Sequence, residues 1–178
     1  MSDSKLLDTE FVARAIFLPA MLDSNGNVSL VAFTLRHTED YFSVARMTVE
    51  SWMDDLKRIP TSATRQLGGY CKMSVGDIRK LGFAYDEEKK VVFDVEDKAT
   101  EKSKSHAGIL LVFGENTLKG DKVAVLKPVP TGISATGLLM RIQSKLSQLA
   151  SKSYIAFAET NSTPSEGNCG EIAIIKKQ

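Results

Sequence analysis

His106 is the residue best placed to do chemistry, because it stands where a polar loop becomes the apolar run SHAGILLVF (105–113). An imidazole titrates near neutral pH and can therefore serve as a general acid or base. Ser103, Ser105 or Asp94 would be its neighbours in such chemistry. The alternative is structural, in which His106 bonds a loop carbonyl and fixes the start of a strand. The pattern leaves both interpretations open.

Arginines at the ends of apolar runs are candidates for binding an anion. Ser43 and Arg46 belong to the motif SVAR, and a guanidinium can hold a phosphate or carboxylate through two parallel hydrogen bonds. Alternation along a regular strand would place Ser43 and Arg46 on opposite faces. Arg36 closes the next apolar run upstream, and Arg14 lies inside the first one. A salt bridge or a surface position is the alternative for each arginine.

The segment TGISATG (131–137) imitates the spacing of a phosphate-binding loop. Backbone N–H groups at Gly132 and Gly137 could cradle an anion where a helix begins. Leu138 and Leu139, however, occupy the places of the lysine and hydroxyl residue that would complete such a loop. The alternative is an ordinary capped helix start.

Composition restricts the class of protein. Lysine and arginine total 23 against 22 acidic residues, so the net charge is +1, which does not favour binding of nucleic acid as the main task. Cys71 and Cys169 lie far apart with no further ligand nearby, which predicts reduced thiols, no metal site and no cofactor. The polar start of the chain and the lack of a run of about 20 apolar residues predict a cytoplasmic protein without a membrane segment.

Apolar periodicity predicts an α+β fold, with a mostly antiparallel sheet, one long C-terminal helix and one or two short helices in a single domain covering residues 1–178. The predicted strands are 11–18, 28–35, 41–47, 70–73, 83–85, 91–95, 106–113, 123–129, 154–159 and 171–175. The predicted helices are 48–59, a short one after Ser74 and the long one at 134–150.

Three of these predictions position the candidate residues. The runs 11–18 and 28–35 form antiparallel neighbours around a turn at Asn25 and Gly26, since Asn-Gly supplies the positive φ angles of a tight turn. The run 106–113 is apolar on both faces and is predicted to be a central strand. Gly68 and Gly69 are predicted to break the chain before a short strand.

Several motifs together resemble those of a widespread group of uncharacterised prokaryotic proteins. They are VARAI (12–16) with Pro19 and Phe33, SVAR (43–46), SVGDIRKLG (74–82) and HAGI (106–109). The resemblance implies a bacterial protein with a core at 8–113, completed by a strand, helix and hairpin in 114–178. It groups Ser43, Arg46 and His106 without implying a reaction, because the group has no established activity.

Two functions follow as expectations. The first is a non-catalytic interaction or accessory module that works with a larger protein partner or as a homo-oligomer, since no complete catalytic signature is present. The second is a small enzyme or effector that acts on a nucleotide or nucleic acid, with His106 as acid or base and Arg46 holding phosphate. The sequence leaves open whether the protein is an enzyme.

Overall fold

The strands and helices belong to a computed structural model that describes residues 5–35, 39–84, 89–115, 123–125 and 133–157. The strands in this part of the chain are β1 (Phe11–Leu18), β2 (Tyr41–Arg46), β3 (Gln66–Ser74), β4 (Phe83–Ala84), β5 (Lys89–Asp97), β6 (His106–Glu115), β7 (Val123–Val125) and β8 (Tyr154–Ala156). The helices are a 3-10 turn (Leu30–Phe33), α1 (Trp52–Lys57), α2 (Val75–Arg79) and α3 (Ile133–Ser151). The predicted α+β class is confirmed, with few helices and one of them long.

The sheet has the strand order β4-β5-β6-β2-β1-β3-β8, and β7 pairs with the second half of β6. Every pairing between these strands is antiparallel. β6 lies between β5 and β2, which confirms the predicted central strand. Ile109 and Leu110 are both buried although they point to opposite faces, as a strand covered on both sides requires.

Two apolar clusters cover the sheet. The larger contains Val12, Phe42 and Ile109 together with Ile142 and Leu146 of α3, so the long helix packs an apolar face on the sheet. The smaller consists of Ala13, Ala15, Phe17, Ala45 and Leu56 and lies under α1. None of the helices in the described ranges combines the length and apolar character that a bilayer crossing needs.

The prediction of a strand at 28–35 is wrong. A turn does precede it, but only Gly26 has a positive φ, of 79°, while Asn25 does not, and the Asp23 carboxylate accepts from the N–H groups of Asn25 and Asn27. The chain then enters the 3-10 turn instead of pairing with β1. Both edges of β1 are already occupied, by β2 and by β3. The backbone of Val28 bonds to serine side chains of α3.

The predicted break at Gly68 and Gly69 is also wrong, because both glycines lie within β3. A Cβ at Gly68 would come within 2.4 Å of the Leu18 side chain, and one at Gly69 within 2.2 Å of the carbonyl oxygen of Ile155. The glycines therefore allow β1 and β8, the strands on either side, to approach β3 closely.

The helix predicted at 48–59 is shorter, since α1 begins after Ser51 and not after Thr48. The short helix predicted after Ser74 is confirmed as α2, which is capped by the Asp77 N–H donating to Oγ of Ser74 at 3.0 Å. The predictions for 85, 126–129, 158–159 and 171–175 lie outside the described residues, as do Arg36, Gly132 and Cys169.

Candidate functional site

A cavity of about 620 Å³ is bordered by β1, β2, α1 and the loop that precedes β6. β1 and β2 pair at Val12↔Arg46 and Ala13↔Ala45. The cavity lies beside the continuation of the two strands, and its lining includes Arg14, Ala15 and Phe17 of β1 and residues 42–45 of β2. Its volume lies within the range of about 300–1,000 Å³ that is typical of small-molecule sites.

The cavity has an apolar wall and several charged groups. The wall includes Ala15, Phe17, Met21, Val31, Leu56 and Ile59. The cations among the described lining residues are Arg14, Arg58, Arg65 and Lys102, and the carboxylates are Glu39 and Asp55. An apolar wall with a few convergent polar groups is the usual character of a site for a small organic molecule.

His106 lines this cavity at the start of β6. Its half-buried ring lies 5.6 Å from that of Tyr41, measured between centroids. Burial lowers the pKa of His106, because the imidazolium loses hydration, while a hydrogen bond to the backbone of Lys98 and the charges of Asp55 and Asp97 act in the opposite direction. The imidazole therefore faces the cavity, as a catalytic role requires, and is bonded to the loop, as a structural role requires. Its position is compatible with both roles that the sequence left open.

Asp55 holds the residue that precedes His106. Its Oδ2 accepts from the backbone N–H of Ser105 at 3.1 Å and from the Ser105 hydroxyl at 2.6 Å. Burial tends to raise the pKa of Asp55, but the hydrogen bonds from Ser105 and Ser103 and the charge of Arg58 outweigh it, and the pKa lies below its ordinary value. This contact joins α1 to the start of β6 and sets the position of His106.

Ser43 lines the cavity beside Arg14. The carbonyl oxygen of Ser43 accepts from Nη1 of Arg14 at 2.5 Å, and Nε and Nη2 of the same arginine donate to the carbonyl of Ala32 at 3.2 and 2.8 Å. Burial lowers the pKa of Arg14 to about 10, against the opposing effect of the Glu39 charge. Arg14 therefore acts as a bridge between β1, β2 and the 3-10 turn.

Arg46 is not among the residues that line the cavity. Its guanidinium contacts Glu10 at 3.0 Å and Asp97 at 2.7 Å, and the hydroxyl of Thr48 donates to the same Glu10 oxygen at 3.1 Å. The salt bridge that the sequence left open as an alternative is the arrangement that Arg46 adopts. Its backbone N–H still donates to the carbonyl of Ser105 at 2.7 Å, so Arg46 and His106 are neighbours through the main chain.

The glycine-containing segment does not contribute to the cavity. Gly137 lies within α3, exposed, and no atom would come within 4 Å of an added Cβ. Gly132 and Arg36 lie outside the described residues. Within the described ranges, no group of three or more His, Cys, Asp or Glu side chains is arranged to hold a metal ion.

Comparison of this chain with protein-family models, curated proteins and solved structures gives no match.

Sequence reasoning missed Asp55, Arg58, Arg65 and Lys102 as members of the site. Asp55 carried one signal, since it stands next to Leu56 on the apolar side of a short helix, where an acidic residue needs a partner. Arg65 carried none, because it lies in the polar connection between α1 and β3 and reaches the cavity only through the fold.

Proposed function

We propose that this protein is a non-catalytic binding module whose cavity holds a small molecule, and that it acts as an accessory to a larger protein partner. The cavity of about 620 Å³ carries the first part of this proposal, because its size and its mixed lining suit a small organic ligand.

The bonding of the candidate catalytic residues supports a role without chemistry. Arg46 is occupied by two carboxylates, and the imidazole of His106 is bonded to the backbone of Lys98. Ser43 lines the cavity, but its only hydrogen bond outside the sheet pairing, among the described residues, is the one that its carbonyl accepts from Arg14. Each candidate thus has a positional role in the fold.

The enzyme or effector that acts on a nucleotide is the second candidate, because His106 and Ser43 border the same cavity. Phosphate binding in that case would fall to Arg14, Arg58 or Arg65, since Arg46 lies outside the lining.

A screen of small organic molecules, nucleotides included, separates the two candidates. Compounds that raise the unfolding temperature are incubated with the protein and then examined by NMR. A bound compound that is recovered unchanged supports the binding module, whereas turnover of a nucleotide supports the enzyme. Failure of every compound to shift the unfolding temperature would contradict a ligand-binding cavity.

In the partner proposal, a bound partner would cover some of the large apolar side chains that are exposed in this chain, such as Leu7, Met140 or Ile155. Gel filtration with light scattering and a pull-down from the native host test it. A strictly monomeric protein with no recoverable partner would count against this part of the proposal.

We propose further that this is a cytoplasmic bacterial protein related to the uncharacterised prokaryotic group. In this proposal the chain forms a single domain, residues 114–178 complete the 8–113 core, and α3 is the C-terminal helix. The buried and unpaired thiol of Cys71 supports the cytoplasm, where thiols stay reduced.

A further inference from the structure

Two arginines of the cavity have no carboxylate within ion-pair distance among the described residues. Arg14 donates to the carbonyls of Ala32 and Ser43, and Arg65 donates to the carbonyl of Pro60. Arg58 differs, because it is paired with Asp55 at 3.3 Å. Carbonyl groups satisfy hydrogen-bond donors but do not neutralise the charge of a guanidinium.

The two arginines also line the same cavity. Burial is the main cause of the lowered pKa of Arg14, Glu39 opposes it, and the charge of Arg65 lowers it further. Two like charges that line one cavity would both be stabilised by an anion bound in it. Arg65 is itself held in place, with its guanidinium carbon 3.5 Å from the centroid of the Phe17 ring.

We infer that the cavity takes an amphipathic organic anion, with its carboxylate or phosphate against Arg14 and Arg65 and its apolar body against the Phe17 and Leu56 wall. This inference rests on the proposed binding function and specifies the chemical class of the ligand. The apolar part would replace water on the wall, and the anion would form charge-assisted hydrogen bonds with the remaining guanidinium N–H groups.

The test uses two fluorescent probes that share one ring system. 8-Anilinonaphthalene-1-sulfonate carries an anionic group, and N-phenyl-1-naphthylamine is the same molecule without it. Their dissociation constants are measured for the wild type and for Arg65→Gln, Arg65→Lys and Arg141→Gln. Arg141 is a matched control, since it also lies over a phenylalanine ring, at 4.2 Å from that of Phe83, and donates to a backbone carbonyl.

The inference predicts that the wild type binds the sulfonate at least about tenfold more tightly than the neutral probe, the size expected of a charge-assisted hydrogen bond. Arg65→Gln removes this preference and leaves the neutral probe's affinity unchanged, which also shows that the variant is folded. Arg65→Lys keeps part of the preference because it keeps the charge, and Arg141→Gln behaves as the wild type.

Three results would overturn the inference. Equal binding of both probes by the wild type would mean that the anion is not recognised, while the proposed binding cavity would stand. An equal loss of the preference for the sulfonate in Arg65→Gln and Arg141→Gln would show that the anion is attracted to general surface charge and not to this site. Failure of both probes to bind would show that the cavity does not take a small organic molecule, and it would contradict both the inference and the proposed function.

Discussion

Nη1 of Arg14 donates to the carbonyl oxygen of Ser43 at 2.5 Å, just beyond the residue pairs that join β1 to β2. The same guanidinium reaches the carbonyl of Ala32 with two further hydrogen bonds. The side chain therefore continues the contact between the two strands beside the cavity.

Replacing Arg14 with Met is expected to lower the free energy of unfolding by about 1–3 kcal/mol, because the part-buried carbonyl of Ala32 loses two charged donors. Arg14→Lys keeps the charge but not the forked geometry, so its loss is expected to be intermediate. Urea unfolding measures both values. Arg141→Met is the control and should change stability by no more than about 0.5 kcal/mol. An Arg14→Met protein as stable as the wild type would contradict the bridging role.

Asp55 should make stability depend on pH in the acid range. Its pKa in the folded protein is lowered, chiefly because the Ser105 hydrogen bonds outweigh the raising effect of burial. The stability that it contributes is therefore present above the unfolded pKa of about 3.9 and is lost as the pH falls through the lower, folded value. Asp55→Asn should be less stable at neutral pH and should lose less stability than the wild type below about pH 4.

Unfolding by urea at a series of pH values from neutral to acid measures this difference. Asp54→Asn, one residue earlier on the exposed side of α1, serves as the matched control and should follow the wild-type profile. An Asp55→Asn protein that loses stability in acid as steeply as the wild type would contradict the assigned contact.

His106 should titrate below its ordinary pKa of about 6.5, because burial disfavours the imidazolium. The unfolded chain then binds the proton at a higher pH than the folded protein does, so stability falls as the pH drops through the unfolded value. NMR titration of the imidazole measures the pKa, and His37→Gln assigns the signal because these are the two histidines of the chain. A midpoint above 6.5 would contradict a desolvated His106.

Two glycine substitutions should change stability in opposite directions. Gly69→Ala brings a Cβ to within 2.2 Å of the Ile155 carbonyl oxygen and should destabilise the packing of β8 on β3. Gly137→Ala meets no atom within 4 Å inside α3 and should raise stability by about 0.5–1 kcal/mol, the difference in helix propensity. Thermal unfolding of the two variants measures both effects. Destabilisation by Gly137→Ala would contradict its position in an exposed helical turn.

Periodicity in the sequence was sufficient to predict the elements whose own apolar pattern determines how they are buried. β6 and α3 each carry an apolar pattern of their own, and both were predicted near their observed bounds. The run 28–35 has an equally strong apolar pattern but becomes a 3-10 turn, because its partners on α3 lie more than 100 residues away. The glycines of β3 were misread for the same reason, since the groups that approach them belong to other strands.

The candidate site was predictable only in part. His106 and Ser43 lie on paired strands and border the same cavity, whereas Arg46 turns to the opposite face and to two carboxylates. Arg14 and Arg65 meet at the cavity from β1 and from the connection before β3. No local spacing in the chain encodes that meeting.

The central claim, that the cavity holds a small organic molecule, is tested most directly by blocking its mouth from an exposed position. Val31 lines the cavity and is 52% exposed, while the adjacent Leu30 is 37% exposed and is not among the lining residues. The measurement is the dissociation constant of N-phenyl-1-naphthylamine for the wild type, Val31→Trp and Leu30→Trp. We predict that Val31→Trp weakens binding by about tenfold or more, whereas Leu30→Trp leaves it unchanged. A folded Val31→Trp protein that binds the probe as tightly as the wild type would contradict the account.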